Sequence, residues 1–161
     1  MIRAATSEDA AEVCAIWNPV IRDTLVTFNA VEKTPEMILT LLDEKAKAGH
    51  GVFVALLGQA VVGFALYGQF RAGVGYAHTA EHTIVLAEAG QGKGLGAALM
   101  RAVEDHARDA GIHTLWAGVS SGNPDGVAFH AHQGFTEIAT LPEVGRKFGK
   151  WLDLVLMQKR L

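Results

Sequence analysis

One segment decides the fold: residues 79–97 read TAEHTIVLAEAGQGKGLGA. A β-branched run near its start predicts a strand over residues 79–86. Four glycines between positions 90 and 96 then predict a tight turn. Apolar residues three and four positions apart follow, which predicts an amphipathic helix over residues 93–110. The segment is therefore a strand–loop–helix unit in the middle of the chain.

The glycine-rich loop is suited to binding a phosphate group. A helix N-terminus presents unpaired backbone N–H groups and the positive end of the helix dipole, and glycines let a ligand approach them. Lys93 adds a full positive charge at the same place. The alternative is a tight connection that needs only small residues, but the loop has more glycine than a turn requires.

Two phosphate-binding motifs fit this loop poorly. A P-loop needs glycine at position 87 and serine or threonine at position 94, where the chain has Ala87 and Gly94. A dinucleotide fingerprint matches Gly92-x-Gly94-x-x-Ala97 by letter, yet it normally opens the first βαβ unit and has an acidic residue about 20 positions later. Here the motif follows four predicted strands, and the next strand, over residues 112–119, has no Asp or Glu. Both motifs are therefore disfavoured.

The rest of the chain predicts a single α/β domain over residues 1–161. A short strand at Ile2–Ala4 comes first. Two helices follow, the first capped by Ser7 and ended by Pro19, the second opened by Thr34-Pro35. The later predicted elements are hairpin strands at 52–57 and 60–67, a strand at 112–119, a helix at 124–132, and strands at 136–141 and 151–157. The order β-α-α-β-β-β-α-β-α-β-β predicts a mixed sheet flanked by helices.

The composition excludes several classes of function. Half of the 161 residues are hydrophobic and 19% are charged, which argues for a well-filled core. The net charge is −3, so we expect no nucleic-acid partner. The longest apolar stretch, residues 60–68, is far shorter than the ~20 residues of a membrane span, and no basic-then-apolar leader opens the chain, so we expect no membrane partner. A single cysteine, Cys14, rules out an internal disulfide and suits a cytoplasmic location.

Two motifs resemble those of a known family. Gln91-x-x-Gly94-x-Gly96 after a strand is similar to the acyl-CoA pyrophosphate loop of the GNAT N-acetyltransferases. Asn123, with His130-x-x-x-Gly134-Phe135 after it, resembles the second motif of that family. The predicted order of elements also matches the GNAT fold along nearly the whole chain.

Within that family, the chain resembles the phosphinothricin and methionine sulfoximine acetyltransferases. The stretches that carry this resemblance are residues 27–29 (TFN), 67–71 (YGQFR), 78–82 (HTAEH) and 144–153 (VGRKFGKWLD). The resemblance implies transfer of the acetyl group of acetyl-CoA to the α-amine of a small amino-acid analogue, by direct attack on the thioester. It also implies a homodimer and a role in detoxification and resistance. The alternatives are an N-acetyltransferase for another small amine or a protein N-terminus, and a non-catalytic acyl-CoA-binding domain.

The resemblance further implies a set of site residues. Those expected against acetyl-CoA are Ile84, Val85, Leu86, Gln91, Gly92, Lys93, Gly94, Leu95, Gly96, Ala97 and Asn123. Those expected against the amino-acid substrate are Arg71, Ala72, Gly73, Glu81, His82 and Thr83.

The chemistry of acetyl transfer points to two candidate catalytic residues. Glu81 is the candidate base, because a carboxylate near the acyl group can accept the proton of the ammonium, and partial burial raises the pKa of such a group. The alternative for Glu81 is an edge-strand carboxylate paired with a basic neighbour. His130, where the general family pattern has tyrosine, is the candidate acid for the thiolate, and a helix histidine bonded to the backbone is the alternative. A backbone N–H of Val85 or Leu86 is expected to meet the carbonyl oxygen.

Other side chains are candidates for the substrate pocket. Arg71 suits a carboxylate or phosphinate, because its guanidinium makes paired hydrogen bonds, although a solvated arginine is the alternative. Phe28 and Trp151 are expected to wall a small apolar slot, and a place in the core is the alternative for both. The basic run Arg146, Lys147 and Lys150 is interpreted as solvated, with one member able to reach the 3′-phosphate of CoA or a partner subunit.

Two further expectations concern metal and assembly. Seven histidines are present, but there is no cysteine pair and no HExxH motif, so we expect no metal. The apolar strand over residues 152–157, with Phe148 and Trp151 before it, predicts an edge that a second copy covers.

Overall fold

The computed structural model describes residues 1–161 and contains one seven-stranded sheet with helices on both faces. The elements are β1 (Ile2–Ala4), α1 (Ala10–Asp23), α2 (Pro35–Lys47), β2 (Val52–Leu57), β3 (Ala60–Gln69), β4 (Thr79–Leu86), α3 (Leu95–Asp109), β5 (Thr114–Ser120), α4 (Pro124–His132), β6 (Thr136–Lys147) and β7 (Lys150–Arg160). The sheet order is β1-β2-β3-β4-β5-β7-β6, and only β4 and β5 are parallel neighbours. The element order and the mixed sheet confirm the sequence prediction.

Two apolar cores cover the two faces of the sheet. On the α1/α2 face, buried residues of both helices pack against Val54, Phe64 and Leu66. On the α3/α4 face, the apolar stripe of α3 packs against alternate residues of β3, β4 and β5. Successive side chains of a strand point to opposite faces. In β4, Ile84 therefore belongs to the α3/α4 face and Val85 to the α1/α2 face.

Helix α1 is longer than the sequence pattern indicated. The expected cap Ser7 lies in a short 3₁₀ turn instead, where the backbone N–H of Thr6 donates to Asp9 Oδ2 at 2.7 Å. Pro19 does not end the helix, because α1 continues to Asp23. A proline inside a helix costs about 3 kcal/mol, and the complete burial of Ile21, two residues later, offsets part of that cost.

Strands β6 and β7 form a hairpin that is much longer than the predicted strands. Its turn is Phe148-Gly149, where both residues have positive φ, as a two-residue hairpin turn of type I′ requires. Strand β7 lies between β5 and β6, so the prediction that residues 152–157 form the sheet edge is wrong. The edge strand is β6, and the exposed apolar side chains along it and its turn include Ile138, Val144 and Phe148.

Strands β4 and β5 are paired only where they begin. Thr79–Glu81 pair with Thr114–Trp116, and no further pairs join the two strands. Beyond that point β4 stays paired with β3 and β5 stays paired with β7. The second halves of the two parallel strands therefore separate and leave a wedge-shaped gap in the middle of the sheet.

Candidate active site

A cavity of about 450 Å³ occupies the gap between β4 and β5. A volume of this size suits a small molecule. The lining residues come from α1, the loop over residues 26–29, β4, β5, β7 and α4, and include Trp17, Val20, Phe28, Glu81, His82, Thr83, Ile84, Val85, Gly118, Asn123, His130 and Leu154. Since Glu81 and Thr83 belong to the α1/α2 face and His82 and Ile84 to the other, the cavity passes through the sheet.

The free edge of β4 presents backbone groups to this gap. The C=O of Thr79 and the N–H of Ala87 both bond to the β3 side. The N–H and C=O of one residue in an antiparallel pair point to the same side, and the sides alternate along the strand. The backbone groups of Ile84 and Leu86 therefore face the gap, whereas those of Val85 face β3. The expectation that Val85 donates to a carbonyl oxygen in the gap is wrong for this reason, and Leu86 or Ile84 can donate instead.

The carboxyl group of Glu81 lies over β5 at Gly118. A Cβ atom at position 118 would be 2.6 Å from Glu81 Oε1, so only glycine leaves room for the carboxyl there. Glu81 makes no hydrogen bond or salt bridge, and burial alone raises the pKa of its carboxyl above the ordinary value. The alternative interpretation, a carboxylate paired with a basic neighbour, does not match this arrangement. A half-buried, unpaired carboxyl with a raised pKa is suited to accept a proton near neutral pH.

His130 and His82 meet on the other face. Their Nε2 atoms are 2.9 Å apart, and both rings are buried. The Nδ1 of His130 contacts the C=O of Gly126 at 2.6 Å, and the Nδ1 of His82 contacts the C=O of Trp116 at 3.0 Å. His130 is therefore at the cavity, as predicted, but each of its ring nitrogens already has a partner.

The glycine loop is open where a phosphate would approach. Gly92 and Gly94 have φ values of +69° and +75°, and a Cβ atom at either position would have no atom within 4 Å. The first i→i−4 bond at this end of α3 is donated by Ala98, so the N–H groups of residues 95–97 remain free at the helix N-terminus. The exposed side chains of Gln91 and Lys93 flank the same surface. The loop therefore fits an anionic group.

Gly96 and Asn123 differ in detail from the expected contacts. Gly96 is buried, and a Cβ atom there would lie 3.0 Å from Phe129 and 3.1 Å from Leu86. Its hydrogen side chain thus serves the packing of α3 against these residues and does not open space for a ligand. Asn123 lines the cavity and caps α4, because its Oδ1 accepts a hydrogen bond from the N–H of Gly126 at 3.0 Å.

The expected slot between Phe28 and Trp151 does not form within one chain. The Phe28 ring lines the cavity and covers Gly145, where a Cβ atom would be 2.7 Å from the ring. Trp151 is 56% exposed, and its ring contacts the guanidinium of Arg146 at 4.6 Å. Trp151 is paired in register with Arg146 and Leu152 with Gly145, so the tryptophan lies on the opposite face from Phe28.

The loop that contains Arg71, Ala72 and Gly73 is exposed and does not line the cavity of the single chain. The amide of Gln69 orders it by donating to the C=O of Arg71 at 2.6 Å and of Gly73 at 2.7 Å. The guanidinium of Arg71 makes no ion pair, so it is free to bind an anion.

Lys147 is a supporting residue that the sequence interpretation missed. It was expected to be solvated, but it is only 3% exposed, and its Nζ donates to the C=O of Thr27 at 3.0 Å. Burial lowers the pKa of this ammonium group. Lys147 and Gly145 together hold the loop that presents Phe28. Gly145 and Lys147 are two positions apart on β6 and therefore lie on the same face of the strand. This spacing is the one sequence signal for the contact with the loop. Val20 was also missed, because the helix is expected to end at Pro19, and Trp17 was interpreted only as part of the apolar face of that helix.

Two kinds of feature are absent from residues 1–161. No group of three or more His, Cys, Asp or Glu side chains is close enough to hold a metal ion. No helix is both long and apolar enough to cross a bilayer.

The chain is similar to known acetyltransferases over almost its whole length. The model of the acetyltransferase (GNAT) family matches residues 17–135. The L-amino acid N-acyltransferase MnaT of Escherichia coli is 36% identical, with 99% of this chain and 93% of that protein covered. The L-methionine sulfoximine/L-methionine sulfone acetyltransferase of Salmonella typhimurium is 36% identical, with 99% and 94% covered.

Solved structures agree closely with the fold. A ribosomal-protein-alanine N-acetyltransferase from Brucella melitensis has a TM-score of 0.96 and 38% identity, with 100% of this chain and 99% of that chain covered. The protein yncA from Salmonella typhimurium, solved with its cofactor acetyl-CoA, has a TM-score of 0.95 and 35% identity, with 100% and 93% covered.

Proposed function

The chain belongs to the acetyltransferase (GNAT) family and is an acetyl-CoA-dependent N-acetyltransferase, and we propose that its acceptor is the α-amine of a small amino-acid analogue. The candidate acceptors are methionine sulfone, methionine sulfoximine and phosphinothricin. The observation that carries this proposal is the unpaired, half-buried carboxyl of Glu81 in a cavity of about 450 Å³. The name of the Salmonella relative supports the methionine derivatives.

Binding of acetyl-CoA falls to the backbone-lined half of the cavity. The gap-facing groups of Ile84 and Leu86 pair with the amides of the pantetheine arm as a neighbouring strand would. The free N–H groups at the start of α3, together with the open Gly92 and Gly94, receive the pyrophosphate. Asn123 lies beside the arm, with its Nδ2 available after its Oδ1 has capped α4.

Acetyl transfer uses the groups around the gap. Glu81 accepts a proton from the acceptor ammonium, directly or through a water, and so frees the amine for attack. The C–N bond forms as the C–S bond breaks, and an N–H of Leu86 or Ile84 stabilises the negative charge that develops on the carbonyl oxygen. On the other face, His130 lines the cavity and is the candidate to protonate the departing thiolate.

Recognition of the acceptor falls to side chains. Phe28 and Trp17 give the α1/α2 end of the cavity an apolar wall that suits a short methylene chain. Arg71 lies outside the cavity of the single chain, but its exposed guanidinium is free of ion pairs and is the candidate to bind one anionic or strongly polar end of the acceptor. Acetylation removes the positive charge of the α-amine that amino-acid-binding sites recognise, so the reaction would detoxify such an analogue.

A homodimer is part of the same proposal. Ile138, Val144, Phe148 and Trp151 leave more than half of their surfaces exposed along β6, its turn and the start of β7. A second copy of the chain would cover this surface. Light scattering is expected to give twice the mass of 17.1 kDa at micromolar concentration, and particles of 17.1 kDa alone would contradict the dimer. The buried free thiol of Cys14 supports a cytoplasmic location.

The acceptor is tested by comparing kcat/KM for methionine sulfone, methionine sulfoximine, phosphinothricin, methionine and an alanine-initiated peptide. The peptide is included because a protein N-terminus is the second candidate, given the name of the Brucella structure. A site that hydrogen-bonds a polar head rejects analogues without it, so the sulfone should be used far better than methionine, and Arg71→Ala should erode that preference. Equal values for methionine and its sulfone, or a higher value for the peptide, would overturn this acceptor class.

A further inference from the structure

The two histidines at the cavity have more hydrogen-bonding contacts than protons. Three short contacts involve their rings: Nδ1 of His82 to the C=O of Trp116 at 3.0 Å, Nε2 to Nε2 at 2.9 Å, and Nδ1 of His130 to the C=O of Gly126 at 2.6 Å. A carbonyl only accepts, so each Nδ1 must carry a proton. The contact between the two Nε2 atoms then needs a third proton. Two neutral imidazoles bring only two.

The missing proton leaves two possible states for the pair. With two protons, one contact sets two lone pairs against each other at hydrogen-bonding distance. With three protons, all contacts are satisfied and the pair carries one positive charge shared between His82 and His130. The hydrogen bonds therefore favour the third proton.

The surroundings oppose the charge. The rings of Phe129 and Phe135 pack against the pair, with centroids 5.2–5.4 Å from those of the two imidazoles. Burial lowers the pKa of both histidines, that of His82 to about 3. The hydrogen bonds favour the third proton, whereas burial disfavours the charge that it brings. A buried cation of this kind releases its proton readily.

No nearby charge compensates the pair. β5 has no titratable side chain. The adjoining elements carry Glu81 on β4, Asp125 and His132 on α4, Glu137 on β6 and Lys159 on β7, which is paired with Glu104 on α3. Glu81 lies on the opposite face of the sheet, and none of these groups bonds to either ring. The proton state of the pair is thus set by its own contacts and by what enters the cavity.

We propose that His82 is a positioning residue for His130. The Nε2 of His82 accepts a hydrogen bond from the protonated Nε2 of His130, and this shared third proton is the one that His130 delivers to the thiolate of CoA. This inference rests on the proposed function. As the C–S bond breaks, the shared proton passes to the sulfur and leaves two neutral rings. Glu81 releases the first proton of the acceptor ammonium to solvent, and the second proton of the attacking nitrogen is lost to solvent as the amide forms. The histidine pair regains one proton from solvent before the next turnover, so each cycle releases one proton in total. The sheet thereby separates the proton acceptor from the proton donor.

Two substitutions of His82 separate proton sharing from packing. In His82→Gln, the amide NH₂ donates to the C=O of Trp116 while the amide oxygen accepts from a protonated His130, so the arrangement is preserved. In His82→Phe, an aromatic ring of similar size fills the space among the phenylalanines but offers no acceptor. Proton sharing predicts a kcat within severalfold of the wild-type value for Gln and a fall of about 10² for Phe. A packing role predicts the reverse order.

The pH profile and cofactor binding complete the kinetic test. In the wild type, kcat should have a limb on which the rate falls as pH rises and the pair loses its third proton, and this limb should be absent in His82→Phe. Calorimetry should give the wild-type affinity for acetyl-CoA in both variants, which also establishes that they are folded. A Phe variant as active as the Gln variant, or as the wild type, would overturn the inference.

A measurement on the free wild-type protein is independent of turnover. Nitrogen NMR of labelled histidines should show both Nδ1 atoms protonated and the pair taking up one proton, not two, as the pH is lowered. A ring protonated at Nε2 with a bare Nδ1 throughout would overturn the inference. Wild-type protein without turnover on any acceptor would instead defeat the proposed function, so the two failures are distinguishable.

Discussion

The two ends of the cavity are built from different parts of the chain. The end assigned to acetyl-CoA consists mainly of backbone: the unpaired edge of β4, the open glycines and the N-terminus of α3. The end assigned to the acceptor consists of side chains, among them Glu81, Phe28 and the buried Lys147 beneath it. Backbone groups are fixed by the fold, whereas side chains change with single substitutions. The fold therefore sets the acyl donor, and a few side chains set the acceptor.

The largest expected effect is at Glu81. Glu81→Gln keeps the size of the side chain but removes the proton acceptor, so kcat should fall by about 10²–10⁴. Because burial raises the pKa of Glu81, the wild-type rate should rise with pH through a value above the ordinary carboxyl range, and the variant should lack that rise. Steady-state kinetics across pH, with acetyl-CoA affinity as the control, measures both. A near-normal rate in the variant would place the base elsewhere.

The backbone-built end is tested by substituting glycines. Gly94→Val places a side chain in open space where the pyrophosphate is expected and strains a residue with φ of +75°. Loss of one or two hydrogen bonds to a charged group should weaken acetyl-CoA binding by about 10- to 100-fold. Gly58→Val is the matched control, because Gly58 is also open and has φ of +63° but lies in the β2–β3 turn. Equal affinities for the two variants by calorimetry would contradict the assignment of the loop.

Gly96→Val sharpens the same comparison, because that glycine is packed. Its new side chain would meet Phe129 and Leu86, so the expected effect is a loss of about 1–3 kcal/mol in the free energy of unfolding. Denaturant unfolding measures this loss. A free energy of unfolding equal to that of the wild type would contradict the close packing of Gly96 against Phe129 and Leu86.

A smaller effect is expected at Lys147. Lys147→Met keeps the length and apolar stem but removes the bond to the C=O of Thr27, so the loop that presents Phe28 should loosen. KM for the acceptor should rise by about tenfold, because a buried carbonyl loses its donor, while acetyl-CoA affinity stays unchanged. Lys150→Met, at an exposed position of the same hairpin, is the control. A similar KM for both variants would remove Lys147 from the acceptor end.

The smallest expected effect is on stability. A folded-state pKa above the unfolded value means that Glu81 destabilises the protein once it is ionised, so its contribution is favourable at low pH and is lost as pH rises through the folded pKa. Glu81→Gln should therefore raise Tm at pH 8, and the difference should shrink in acid. Thermal melts at several pH values test the sign. A lower Tm at pH 8 would mean that the carboxylate has a partner in solution.

The sequence predicted the elements that local pattern determines. The strand over residues 79–86 and the helix over residues 124–132 have the predicted bounds. Local pattern failed where distant contacts override it. Pro19 stays within α1, where Ile21 two residues later is completely buried, and Lys147 is buried because a loop 120 residues away supplies a carbonyl.

The candidate site shows the same division. Glu81 and His130 were found at the cavity because their motifs are local and resemble a family. The contact between His82 and His130 spans 48 residues and depends on how α4 lies against β4, which no local pattern specifies. The prediction that Trp151 lies beside Phe28 was wrong, because the face on which Trp151 lies depends on the pairing register of the long β6–β7 hairpin.

The separation of β4 and β5 makes the free enzyme an incomplete sheet. Amide hydrogens along β4 should then exchange with solvent in alternation, slowly at Val85, which bonds to β3, and quickly at Ile84 and Leu86, which face the gap. A pantetheine arm inserted as an extra strand would slow those two amides and raise the free energy of unfolding in proportion to the logarithm of its concentration. The lifetime of the enzyme in a cell would thus follow the supply of the acyl donor.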